Sequence, residues 1–255
     1  MYYGTDTVET AELNIPERMN IFQRIGNLLF SPSKLFSFIK KKPTILFPII
    51  LICIGVIALQ LILWEPLEKV QIDTLYNAYK SAGMSVAPSE IEQTAKALMI
   101  GTIIAMPFGY IAVWLFATLI LYAMFRLVKC EKGMKKYFSM VGYIFLIFIF
   151  GQLINSACMY YTGNMTAPMV TSLATFLAPE MNGTFLYGLA SGIEIFNVWA
   201  FILFGIGFVY TGGVSRKKSY IMTAVLFVVV LLASAGFTSL LAGVQNSLQG
   251  SYPGL

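Results

Sequence analysis

Five stretches of this chain run apolar for about twenty residues or more, long enough at 1.5 Å per helical residue to cross a 30 Å hydrocarbon layer. A water-soluble domain has no means of hiding them all. Charge is correspondingly scarce: 11% of the 255 residues are charged and 58% hydrophobic, against about 25% charged in an ordinary soluble domain. The mean hydropathy of +0.76 comes from repeated blocks along the chain rather than from one greasy helix.

The blocks lie at about 44–64, 97–128, 137–161, 184–210 and 220–243. In front of them, residues 1–19 are polar and acidic and read as a disordered tail, with no apolar segment that would mark a cleavable leader. From Asn20 to Phe30, Ile21, Ile25, Leu28 and Leu29 share one helical face, with Arg24 and Asn27 opposite, as in a helix lying in the headgroup plane. Ser31 and Pro32 read as an N-cap and first helical residue of a second such helix, which ends at Lys40, Lys41 and Lys42. After the first block, Pro66 to Ala82 has the pattern of an amphipathic helix outside the membrane. Ser89 and Glu92 fit a capping box that opens the second long helix, and Pro107 predicts a kink within it. A short surface helix is expected between Pro168 and Pro179, and residues 244–255 form a short external tail. The region 20–243 is thus a single five-span membrane domain.

Lys and Arg are sorted by loop. Fourteen lie before the first block, at the end of the second or just after it, and after the fourth, whereas the alternate loops hold only Lys69, Lys80 and Lys96. Because positive loops stay cytoplasmic, this split predicts five crossings with the N-terminus in and the C-terminus out. The expected fold is therefore an all-α polytopic membrane protein with five transmembrane helices preceded by interfacial amphipathic helices.

Histidine is absent, which removes the usual general base and the commonest metal ligand. Serine-protease and metalloprotease arrangements fail on that ground, and no phosphate-binding glycine loop is present. Cys53 and Cys158 fall inside apolar blocks and Cys130 in a basic loop, so the thiols form no disulfide framework. The net charge of +5 sits beside apolar blocks, as membrane anchors do, and not in a nucleic-acid-binding pattern. No catalytic residue, metal or cofactor is expected.

The run Arg24-Ile-Gly-Asn-Leu-Leu-Phe-Ser-Pro-Ser-Lys-Leu-Phe36, followed by a basic stretch and the first span, resembles the opening of the bacterial-type Yip1-domain family. Its closing pattern is matched by Ile195-Phe-Asn-Val-Trp199, the pair Gly205 and Gly207, and Thr211-Gly-Gly-Val-Ser-Arg-Lys-Lys218. The resemblance covers roughly residues 20–243. It implies a five-span protein of the bacterial plasma membrane that works through protein partners in membrane organisation, trafficking or assembly of membrane complexes, without catalytic residues. The Asp-Leu-Tyr-Gly-Pro type motif of eukaryotic members is missing, which weakens transfer of a vesicle role.

Polar side chains at membrane depth are the candidate functional residues. Gln152 and Asn155 share a face of the third span, and Glu194 and Asn197 repeat that spacing in the fourth. Hydrogen bonding between the two helices explains the cluster more economically than a polar pathway, since it holds one carboxylate and no intramembrane cation. Small residues form rows at Gly101, Ala105 and Gly109, at Gly188 and Gly192, and at Ala235, Ser239 and Gly243, read chiefly as internal packing. Lys40, Lys41, Lys42, Lys135, Lys136, Arg216, Lys217 and Lys218 are read as facing anionic lipid. Asn164 and Asn182 head glycosylation sequons that mean nothing in a bacterial cell.

The expected function is a non-enzymatic multi-pass membrane adaptor or scaffold. Its partners are the lipid bilayer, other membrane proteins such as a transport complex, and a second copy of itself, with no nucleic acid. The alternative is a small permease or channel with a polar site between spans three and four. Neither discontinuous helices nor a second matching repeat, which such a protein would use, is evident in the sequence.

Overall fold

The computed structural model describes residues 16–164 and 168–251. Most of the expected N-terminal tail, the end of the C-terminal tail and Thr166 of the first sequon lie outside the described residues. Within them the fold is all-helical: α1 (Ile21–Phe30), α2 (Pro32–Lys41), α3 (Leu46–Ile62), α4 (Trp64–Ser81), α5 (Pro88–Leu127), α6 (Met134–Thr162), α7 (Phe185–Gly192), α8 (Ile195–Tyr210) and α9 (Arg216–Ser251). The described parts of Met1–Leu51, Ala112–Phe148 and Asn197–Val229 pack as one compact unit, and those of Ile52–Ile111, Ile149–Phe196 and Val230–Leu255 as another.

Among the described residues, α5, α6 and the Arg216–Val244 part of α9 are long and apolar enough to cross a bilayer, and α3 with α4 makes a fourth candidate bent by 67°. These three long helices coincide with the second, third and fifth expected spans. The first is shorter than expected. Pro66 has no N–H to offer, and its ring would strike the carbonyl four residues back; that carbonyl belongs to Ile62, where α3 ends. The fourth expected span is interrupted: α7 stops at Gly192 and α8 restarts at Ile195. The helix expected between Pro168 and Pro179 is instead a 3₁₀ turn over Leu173–Phe176, with a second over Pro179–Met181. Helix α5 begins at Pro88, where the N–H groups of Glu90 and Ile91 reach the Ala87 carbonyl, one residue before the expected capping box takes effect. It continues through Pro107 as one helix. Likewise α9 runs on to Ser251, through most of the segment expected to be a tail.

In the first unit, α1 starts with a reciprocal cap in which the Gln23 N–H donates to the Asn20 side chain and the Asn20 N–H to the Gln23 side chain. Ser31 and Pro32 open α2 as expected, but its setting differs. Leu35, Phe36, Ser37, Phe38 and Ile39 are all buried against protein, so what α2 leaves exposed is chiefly Lys34, Lys40 and Lys41 rather than an apolar face. The Thr211 hydroxyl donates to the Phe36 carbonyl at 3.1 Å. Phe125 stacks on Phe208 with centroids 3.5 Å apart, Tyr137 lies 5.4 Å from Phe208, and Trp114 packs on Phe138. Phe125, Tyr137 and Phe208 of this cluster are fully buried.

In the second unit, α4 has no fully buried residue, but Leu67, Leu75 and Tyr79 of its expected amphipathic face are half-buried, and Glu68 pairs with Lys96 at 3.6 Å. Helix α7 lies against α9 so closely that a Cβ on Gly188 would stand 2.7 Å from the Ala235 Cα. Only glycine permits that approach.

Candidate functional site

The break between α7 and α8 releases backbone groups that water would normally satisfy and that an apolar setting leaves exposed. The loop after α6 returns to meet them. The Leu173 N–H donates to the Ile193 carbonyl and the Ile195 N–H donates to the Thr171 carbonyl, each at 3.1 Å. Ser172 and Glu194 thereby form an isolated antiparallel bridge. Both are buried.

Side chains complete the junction. The Thr171 hydroxyl donates to Glu194 Oε1 at 2.6 Å, while Asn155 Nδ2 donates to Thr171 Oγ1 at 3.0 Å and to the Gly151 carbonyl at 2.9 Å. Both amide hydrogens of Asn155 are thus spent, which fixes its orientation, and the threonine relays one hydrogen bond into the next. Asn155 and Glu194 are 2% and 4% exposed, and Thr171 between them is half-buried.

Of the four polar residues expected to converge, the structure joins Asn155 and Glu194 through Thr171, not directly. Gln152 is half-buried on α6, and Asn197 lies in the first turn of α8. Sequence reasoning missed Thr171, because it sits in a loop where a threonine is unremarkable. It also missed Gln60, whose amide lies 2.7 Å from the Met106 sulfur. The relay places one carboxylate at the end of a short hydrogen-bonded chain, at the point where a helix is interrupted. Among the described residues no group of three or more His, Cys, Asp or Glu side chains is placed to hold a metal.

A second cluster lies in the first unit, where the basic turns meet. Glu131 bonds Lys40 at 2.6 Å and Lys136 at 2.8 Å, its N–H donates to the Gly212 carbonyl at 2.8 Å, and its own carbonyl accepts from the Tyr137 hydroxyl at 2.6 Å. Gly213, at φ +66°, leaves no room for a Cβ, which would stand 2.6 Å from Glu131 Oε1. Partial burial works against the ionised form of Glu131, but the hydrogen bonds and charges of Lys136 and Lys40 outweigh it and hold the carboxyl below its ordinary range. This corrects one expectation: Lys136 is buried and faces Glu131, not lipid. Lys40 also turns to Glu131, and Lys42 donates to the Glu17 carbonyl at 2.7 Å. Lys41, Lys135, Lys217 and Lys218 stay on the surface, with Arg216 beside the Tyr210 hydroxyl at 3.4 Å.

The small-residue rows separate. Gly188 and Gly192 pack on Ala235 and Leu231 of α9, as expected for internal packing. Gly101, Ala105 and Gly109 do not: all three are exposed, and a Cβ on either glycine would meet nothing within 4 Å.

Comparison with known proteins places the chain among bacterial membrane protein relatives. The membrane protein YknW of Bacillus subtilis (strain 168) is 26% identical over 226 residues, covering 88% of this chain and 91% of that protein. No solved structure matches the chain. The Yip1 domain matches residues 26–238, and with most of its length so covered the chain belongs to the Yip1 domain family.

Proposed function

We propose that this protein is a non-enzymatic adaptor of the bacterial plasma membrane, crossing the bilayer five times with its N-terminus in the cytoplasm, and that it binds other membrane proteins through its helices. The carrying observation is the uncovered row Gly101, Ala105 and Gly109 on α5. Helices associate in lipid through such rows, because small side chains let backbones approach and gain dispersion contacts. Gly188 and Gly192 are covered by α9, whereas this row has no neighbour, an openness that Gly236 and Gly243 on α9 share. The absence of histidine and the spread of Lys and Arg between alternate loops support the same reading. Affinity purification in mild detergent tests it. Wild-type protein should retain a partner membrane protein, a transport complex being the first candidate, and Gly101→Leu with Gly109→Leu should reduce retention about tenfold or more. A chain that always emerges alone would count against the proposal.

One observation favours a second reading, a small permease. Transporters build sites where a helix is interrupted, and Glu194 lies at such a break beside Thr171. Flux into liposomes that disappears in Glu194→Ala would support this, while equal leak from both proteins would remove it.

A further inference from the structure

Arg24 is held within protein entirely by neutral groups. Its Nε donates to the Met19 carbonyl at 3.0 Å, and Nη1 donates to Thr44 Oγ1 at 2.9 Å and to the Tyr143 hydroxyl at 3.2 Å. The guanidinium also lies 5.2 Å above the centre of the Phe38 ring. These acceptors are themselves fixed: Thr44 and Tyr143 share a hydrogen bond of 3.0 Å, and the Ser139 hydroxyl lies between the Thr44 N–H and carbonyl. Three of the five guanidinium hydrogens are therefore committed, and the two on Nη2 meet no acceptor among the described residues.

No carboxylate of the described residues pairs with Arg24. Lys42, two positions before Thr44, is in the same condition, its ammonium resting on the Glu17 carbonyl. A part-buried cation that has lost some of its water and gained only neutral partners favours an anion at its open edge. Guanidinium is the side chain best suited to a phosphate, which accepts several N–H groups at once.

We propose that Arg24 binds the phosphate of an anionic phospholipid headgroup. The surroundings choose lipid over free phosphate. Ile21, Phe22 and Phe30 on α1 are 50%, 84% and 86% exposed, an apolar edge suited to the boundary between headgroups and acyl chains. Leu46, at the start of α3 just beyond Thr44, is 71% exposed. Phe22 and Phe30 lie round α1 from Arg24 and mark the depth of the helix, whereas Leu46 follows Thr44, the acceptor of Nη1, by two residues. A lipid whose phosphate met Nη2 would therefore have its acyl chains next to the start of α3. The site rests on the reading of the chain as membrane-embedded with α1 at the interface, and it gives that reading a specific lipid class.

Native mass spectrometry of the full-length protein, released from detergent containing phosphatidylglycerol or phosphatidylcholine, tests the site. Wild type should retain one phosphatidylglycerol in preference to phosphatidylcholine. Arg24→Gln and Arg24→Lys should retain about a tenth or less, since a charge-assisted hydrogen bond is lost and a lysine cannot present the fork. Arg216→Gln with Lys217→Gln and Lys218→Gln should keep the wild-type level, which separates this site from general attraction to basic turns. If Arg24→Gln fails to fold, Arg24→Lys decides. Equal retention by wild type and Arg24→Lys overturns the proposal, as does displacement by millimolar inorganic phosphate. Retention that appears only after residues 1–15 are removed also overturns it, because the chain's own acids would then be the partner. Loss of partner co-purification would sink the adaptor reading and leave this result standing. A chain that inserts correctly but shows no Arg24-dependent lipid sinks the site alone.

Discussion

At the scale of single residues, Thr171 does more than its type predicts. One hydroxyl accepts from Asn155 and donates to Glu194, and its carbonyl accepts from Ile195. Thr171→Val keeps the shape and removes the relay, leaving Asn155 and Glu194 with fewer partners in a buried place. Thermal unfolding in detergent should show a loss of about 1–3 kcal/mol, the cost of unsatisfied buried groups. Asn155 and Glu194 were legible in the sequence because polar residues stand out in apolar runs. Thr171, Arg24 and Glu131 were not, since their importance comes from what the fold places beside them. Glu131 carries a pH prediction. Its folded carboxyl titrates lower than in the unfolded chain, so its contribution is present above the unfolded pKa and fades as pH falls through the folded one. Unfolding curves of wild type and Glu131→Gln should therefore differ at neutral pH and converge as pH falls below the ordinary carboxylate range. Because the Glu131 side chain is 45% exposed, solvent screening should keep the neutral-pH difference below about 1 kcal/mol.

At the scale of elements, similar small-residue rows have opposite environments. Gly188 faces the Ala235 backbone on α9, so Gly188→Leu must separate the helices and should cost about 1–3 kcal/mol by overpacking. Gly109 has open space, and Gly109→Ala should leave stability unchanged or raise it by up to about 1 kcal/mol, because alanine loses less backbone entropy in a helix. Thermal unfolding of the two variants side by side checks the contrast. Sequence spacing identifies such rows but is blind to which helix, if any, lies opposite. Helix α2 illustrates the same limit: its composition fits an interfacial helix, yet five consecutive residues are buried. Conversely, the end of α3 was open to reading, since Pro66 denies Ile62 its hydrogen bond wherever the helix goes.

For the whole molecule, the sorting of positive charge predicts termini on opposite faces. Reporter fusions at each end should be active in opposite compartments, and agreement of the two would overturn the five-span topology. The sequence by itself determined that this is a helical membrane protein, because the length, composition and flanking charge of each apolar block act locally and need no partner to be read; membership of the Yip1 domain family rests on the match over residues 26–238. Only the tertiary structure decided that the fourth block is interrupted at Glu194 and that a loop threonine closes the gap. It also decided that Lys136 is spent on Glu131, while Arg24 bonds the Met19 carbonyl and the Thr44 and Tyr143 hydroxyls. Those outcomes depend on which distant segments meet, and hydrogen bonds and ion pairs between residues far apart in the chain leave no periodic trace along it.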